Sequence, residues 1–313
     1  MRACVPVAGA TRSSRSFTRL RLASFVGCLA LVADVSLGLA GGVPITQCGA
    51  ILEGKKGVLM NDLDCSSFRA VTLLRSRLDL NGFTIMHSGG GSAVRCVTTC
   101  TISGPGTITG SPGCGVVGDT DNMKIFGVAR VKITDGVNVT GNACGVNANT
   151  TNDVGELVGS VSVQDASISG NAGHGVVASR SVRLKRAVVT GNATYGVGDG
   201  VSAGSRRPLK ANIKDSDVSG NGATGVTANV AAKIIDSAVV GNGIHGASAS
   251  RLRIRGTMLT GNGTDAGCGV TQTCADLASR LDAPKIRGAT LCETSYVLDS
   301  GFPGTSLGLC SLD

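Results

Sequence analysis

The chain has no Trp and only two Tyr and six Phe among 313 residues. A globular core of ordinary shape takes much of its volume from aromatic rings, so this scarcity points to small and β-branched residues filling a narrow interior. It also argues against tight stacking on sugar rings. No Asp-Asp pair occurs anywhere, so glycoside hydrolysis by neighbouring carboxylates has no sequence support. There is no Cys-x-x-Cys and no closely spaced His pair, which removes the usual zinc-ligand spacing. Phosphate-loop and Ser-His-Asp signatures are missing too. Charge is low at 16%, but 42% hydrophobic residues exclude wholesale disorder.

What is present begins with an export-like leader. Arg12, Arg15, Arg19 and Arg21 precede the apolar run 22–33, and small residues follow to Ala40. This order predicts a signal peptide over residues 1–40. The competing membrane anchor would be barely of spanning length and would carry Asp34. Cys28 sits inside the apolar run, a poor lipidation site. The leader holds five Arg and one Asp, which is half of the formal +8. The remaining charge is too mild to imply nucleic-acid binding. A secreted, cell-surface or periplasmic protein is expected, with no membrane span after cleavage, as a monomer.

Beyond the leader the cysteines sit at the two ends and are even in number: Cys48, Cys65, Cys96, Cys100, Cys114 and Cys144, then Cys268, Cys274, Cys292 and Cys310. In an exported chain this distribution reads as disulfides stapling both ends of a self-sufficient middle. The expected pairs are Cys48–Cys65, Cys96–Cys100, Cys114–Cys144, Cys268–Cys274 and Cys292–Cys310.

The middle is repetitive. Gly-Asn recurs at Gly141-Asn142, Gly170-Asn171, Gly191-Asn192, Gly220-Asn221, Gly241-Asn242 and Gly261-Asn262, at intervals of 29, 21, 29, 21 and 20. The long intervals carry loop-rich insertions at 147–159 and 198–208. Each unit shows period-two alternation in three short bursts, as in Val161/Val163, Ile168 and Val176/Ala178. Three short strands per unit cannot bury an apolar face alone, whereas stacked units enclose one continuous core. The expectation is an all-β, right-handed parallel β-helix of about nine or ten coils over residues 41–265, with residues 266–313 as a cap. Gly and Asn both suit left-handed angles at a sharp bend, and stacked Asn amides can bond in a ladder. The six Asn are therefore read as structural. Sequons occur at Asn138, Asn149, Asn192 and Asn262, and the last two belong to the ladder.

The segments Leu78–Ile85, Cys48 with Asp62-Leu-Asp-Cys65, and the Gly-Asn repeats resemble exported bacterial proteins with parallel β-helix repeats, related in fold to pectate lyases. The resemblance covers about residues 48–265, and Cys292 to Asp313 is similar to the closing segment of that family. It specifies a fold more than an activity.

Three columns of outward residues carry the candidate chemistry. On the first strand of successive coils, Arg183, Lys185, Lys214, Lys233, Arg253 and Arg255 line one face over about 20 Å. They would attract an acidic polysaccharide, or serve only as a solvated face that discourages edge pairing. One position on stand Asp165, Arg186, Asp215, Asp236 and Gly256, a salt-bridge ladder or a calcium site at Asp215 and Asp236. In pectate-lyase-like enzymes calcium holds the uronate while an Arg or Lys removes a proton. The resemblance thus offers Arg255 or Lys214 as base. Calcium apart, no cofactor is indicated. Three residues past each ladder Asn stand His174, Tyr195, Thr224, His245 and Asp265, with His174 and His245 as acid–base candidates or plain exposed polar positions. Gly173-His174-Gly175 and Arg253-Ile254-Arg255 are similar to polygalacturonase motifs, but the paired Asp residues are missing. Two functions follow: a binding or structural β-helix without turnover, and a polysaccharide lyase or uronate epimerase.

Overall fold

The computed structural model describes residues 41–66, 69–120, 129–149, 158–199, 210–260, 262, 264–266 and 290–292. The predicted leader, Cys268, Cys274, Cys310, most of the cap and most of both insertions lie outside the described residues. Among the described residues every regular element is a strand, and no helix is long and apolar enough to cross a membrane. The chain winds as a right-handed parallel β-helix. That hand follows from strand twist, which lets a crossover pack back onto its sheet in one sense.

Each turn of the solenoid visits three faces in order. One coil runs Ser160–Gln164 on the first face, Ser167–Ser169 on the second and Val176–Ala178 on the third. The next coil repeats this with Ser181–Lys185, Val188–Thr190 and Val197–Asp199, each strand parallel to its copy. The second face is a ten-stranded sheet ending on Thr290–Cys292, a strand from the predicted cap segment. The other two faces join into one 18-stranded sheet, because Val226–Ile235 and His245–Arg255 run round a corner and belong to both.

Alternation decides which side chains enter the core. Val161/Val163, Val182/Leu184, Ala211/Ile213 and Ala232/Ile234 stack inward from the first face, and Ile168, Val189, Val218, Val239 and Leu259 from the second. All are buried. Each fully buried Val, Leu or Ile contributes about 1.5–3 kcal/mol, and a one-residue slip of any strand would turn its apolar set to solvent.

Two corners use left-handed backbone. At the second-to-third corner Gly141, Gly170, Gly191, Gly220 and Gly241 have φ of 60° to 64°, where a Cβ is disfavoured. The expectation that Asn shares this bend is corrected: the positive φ belongs to Gly, and Asn lies one step further, buried. At the first-to-second corner Asp165, Arg186, Asp215, Asp236 and Gly256 have φ of 47° to 56°. This column of Asp, Arg and Gly is thus first a bend. Short Asp side chains tolerate the left-handed region best among the charged residues.

The buried Asn residues form a continuous amide ladder. Nδ2 of Asn142, Asn171, Asn192, Asn221 and Asn242 donates to Oδ1 of the next Asn at 2.9–3.1 Å. Each backbone N–H donates to the same Oδ1. The second amide hydrogen goes to a second-face carbonyl of the preceding coil, as from Asn192 to Ile168 at 3.2 Å. Ser111 heads the ladder, its N–H donating to Asn142 Oδ1 at 3.0 Å. Its hydroxyl stands 3.4 Å from Nδ1 of the fully buried His87. Burial of Asn192 and Asn262 removes both as glycosylation acceptors.

A second ladder of hydroxyls follows the Asp column. Ser216 Oγ donates to Lys214 O at 2.7 Å and accepts Ala187 N–H at 3.2 Å. Ser237 repeats the pattern against Ile235 O and Ser216 N–H, and Thr257 Oγ1 donates to Arg255 O.

Three of the expected disulfides are present: Cys48–Cys65, Cys96–Cys100 and Cys114–Cys144. Cys114–Cys144 joins residues in register on neighbouring third-face strands, whereas Cys96–Cys100 sits inside the core. The side chain of Cys292 lies outside the described residues.

Candidate functional site

The first face carries two files of outward residues. In register along one file stand Lys56, Arg77, Thr101, Lys132, Ser162, Arg183, Asn212, Lys233 and Arg253. Along the other stand Asp79, Ser103, Thr134, Gln164, Lys185, Lys214, Ile235 and Arg255. Arg130 and Lys210 flank them in a third. The six predicted cations therefore share one face; Lys210 joins them on the strand of Lys214, and Lys56, Arg77, Arg130 and Lys132 extend the face towards the N-terminus. Sequence reasoning did not reach Lys56 and Arg77 because their coils lack the Gly-Asn marker used for alignment, and it did not single out Arg130, Lys132 and Lys210 although Gly141-Asn142 and Gly220-Asn221 mark their coils. Nine strands in succession, from 56–59 to 245–255, make the face about 38 Å long at a strand spacing of about 4.8 Å. Asp79 is the single carboxylate in these files, and it is paired with Lys56 at 3.0 Å.

Engagement differs along the face. Lys214 lies 3.7 Å from Asp215, and Arg255 lies 3.9 Å from Asp236. Arg183, Lys233 and Arg253 are exposed and have no carboxylate within ion-pair distance among the described residues. Ile235, outward by register, is 8% exposed. Its neighbours in the file are Lys214 and Arg255, and long aliphatic stems of this kind commonly cover an apolar side chain.

At the first-to-second corner Arg186 holds Asp165 with two bonds, Nε to Oδ1 at 2.6 Å and a second nitrogen to Oδ2 at 2.7 Å. The Arg186 hydrogen bond, with help from Gln164, lowers the Asp165 pKa to about 2. Its carboxylate thus favours the fold above the ordinary carboxyl pKa, and the contribution fades as pH falls towards about 2. Because the pair is solvent-exposed the contribution is small. Carboxyl NMR titration should place Asp165 near 2, and Arg186→Gln should return it towards 3.8. An Asp165 that titrates at 3.8 in the parent chain would contradict the bidentate geometry.

The calcium candidates Asp215 and Asp236 stand one above the other on adjacent coils. They line an open groove of 660 Å³ together with Arg186, Val188, Asp217 and Met258. Asp217 is a third carboxylate that the alternating pattern did not single out. Even so, no group of three His, Cys, Asp or Glu side chains among the described residues is placed to hold a metal ion.

The histidine column belongs to the second-to-third corner, the one corner that the first face does not touch. His174 and Tyr195 stack with ring centroids 5.3 Å apart, and Thr194 Oγ1 lies 2.8 Å from His174 Nδ1. Thr224 is buried, and His245 stands in register with Thr264 rather than with the expected Asp265. Three strand spacings, roughly 14 Å, separate the two histidines. Burial lowers both imidazole pKa values. The structure therefore does not bring His174 and His245 together, nor either of them to Lys214 or Arg255.

Both insertions leave from the third-to-first corner. Residues 150–157 intervene between third-face strand Cys144–Ala148 and first-face strand Ser160–Gln164, and 200–209 between Val197–Asp199 and Lys210–Lys214. A third interval, 121–128, occupies the same place between Cys114–Asp119 and Arg130–Thr134. All three intervals connect a third-face strand to a first-face strand. None of the protein families, curated proteins or solved structures compared with the chain matches it.

Proposed function

We propose that this protein is an exported β-helix of the pectate-lyase-like kind that binds an acidic polysaccharide on its first face without turning it over. The observation that carries the reading is the concentration of outward cations on one face, with a single carboxylate among them. A linear polyanion laid along the solenoid axis would meet Arg183, Lys233 and Arg253 without competition from neighbouring carboxylates. Attraction between unpaired surface cations and a polyanion is long-ranged and screened by salt.

Support for a lyase or epimerase is weaker. Lys214 and Arg255, the candidate bases, stand beside Asp215 and Asp236 rather than beside a group that would accept a proton onward. The imidazoles that could serve as acid and base are on another corner. Among the described residues no three-ligand cluster supports calcium assistance.

The test is binding of the mature chain to polygalacturonate, alginate and a neutral glucan over a series of salt concentrations. Affinity should appear for the two polyuronates alone and fall steeply with salt, with no rise in absorbance from unsaturated uronate ends when calcium is added. Binding to the neutral glucan alone, or affinity indifferent to salt, would refute the reading. Accumulation of unsaturated ends would replace it with the lyase.

A further inference from the structure

The charges of this solenoid are one-sided. Residues 136–149, 166–179, 187–198, 218–232 and 237–250 contain no Lys, Arg, Asp or Glu. In each successive coil these stretches form the second face, the second-to-third corner and most of the third face. Asp217 and Asp199 alone interrupt this side over the same coils. In these coils the first face and its bordering corners hold the other charged residues, whereas the earlier coils also carry Asp64 on the second face and Glu53, Arg95 and Asp119 on the third. A soluble surface usually mixes charges of both signs over all its sides.

Exposed large apolar side chains collect where the charges are missing. Met86, Val188 and Met258 stand outward on the second face, and Tyr195 and Ile244 on the adjoining corner. They are five of the seven such residues in the described chain, with exposures of 36% to 49%. The outward file that runs on from Met86 is Thr109, Thr140, Ser169, Thr190 and Ser219, short side chains that leave the sheet flat; Val188 and Met258 belong to the neighbouring file, with Asp217 and Ala238 between them.

We propose that this charge-poor side is a self-association surface, on which a second copy packs by its own second face in a two-fold dimer. The first face cannot meet itself, because its cations would repel. The second face can, since Asp64 and Asp217 are the charges among its described side chains and leave little such penalty, and an isologous contact needs only one self-complementary patch. Ten strands about 4.8 Å apart and about 13 Å wide give roughly 500 Å² per copy, so a pair buries about 1,000 Å². That is the lower limit for a specific interface, and the corner with Tyr195 and Ile244 adds to it. A dimer in the micromolar range follows, with the cationic faces directed outward.

Sedimentation velocity of the mature chain from low micromolar to near-millimolar concentration tests this. Expected is a monomer–dimer equilibrium that hardly responds to salt, unlike polyuronate binding. Ser169→Arg with Ser219→Arg should weaken the dimer at least 100-fold while circular dichroism and melting stay at the parent values. Thr190→Lys, a smaller change, should act the same way if the double variant folds poorly. Charge reversal on the first face should leave the dimer intact. A parent chain that stays monomeric throughout, or dimers that survive both sets of substitutions, would overturn the proposal. So would a neutral glucan that protects the monomer against heating and is displaced by Thr190→Lys, which would give the face to a neutral polymer.

Discussion

Asn192→Ala should destabilise the solenoid by about 3–5 kcal/mol, near the upper end for a point substitution. Asn192 is fully buried at the centre of the ladder. Its Oδ1 accepts the N–H and amide of Asn171 at 3.2 and 2.9 Å, and its Nδ2 donates to Ile168 O and Asn221 Oδ1 at 3.2 and 3.0 Å. Truncation to Ala leaves two donors of Asn171 without partners in a site closed to water and removes the amide bond to the Ile168 carbonyl. Each buried unsatisfied group costs about 1–3 kcal/mol, with some relief from relaxation. A solenoid is held by contacts between neighbouring coils, so the break also uncouples the coils before Asn192 from those after it. Urea denaturation should show a lower midpoint and a smaller m, as the two halves unfold apart. Ser169→Ala, outward on the preceding coil, should stay within about 0.5 kcal/mol. A loss below about 1 kcal/mol for Asn192→Ala would mean that the ladder is incidental.

The second large effect concerns the first face. Reversing charge at Arg183, Lys233 and Arg253 together should weaken polyuronate binding by about 100-fold or more at low salt and flatten its salt dependence. If each cation releases a fraction of a counterion, as on single-stranded polyanions, removing three lowers the log–log slope by at most about 2. These three are chosen because no carboxylate competes for them, whereas Asp215 and Asp236 already stand near Lys214 and Arg255. Lys185→Glu with Lys214→Glu and Arg255→Glu should therefore cost less affinity than the unpaired set. Stability should hardly change in either triple, since exposed charges contribute little to folding. Binding unchanged by both triples would remove the cationic face from the function. Equal losses would mean that the neighbouring carboxylates do not compete.

Comparison of particular residues shows why some features were legible and others not. Asn171, Asn192 and Asn221 announce their stacking because a ladder demands the same residue at the same place in every coil. Arg183, Lys233 and Arg253 could be placed on one face because period-two alternation fixes which side a strand residue takes. Lys56 and Arg77 lie in the same file, but no Gly-Asn corner marks their coils, so their register was not readable. Ser216 and Ser237 look like ordinary turn residues in the sequence. Their role depends on an N–H donated from the neighbouring coil, 21 or 29 residues away.

The sequence by itself determined the winding: three short alternating strands per unit, a Gly at the bend and an Asn inside it admit few arrangements other than stacked parallel coils. Only the tertiary structure decided how the three faces differ. It set the histidines on a corner away from the cations and left the second face with few charges, Asp64 and Asp217 among its described side chains. Local pattern fixes whether a side chain points in or out, whereas the neighbour it meets is set by stacking across coils of unequal length.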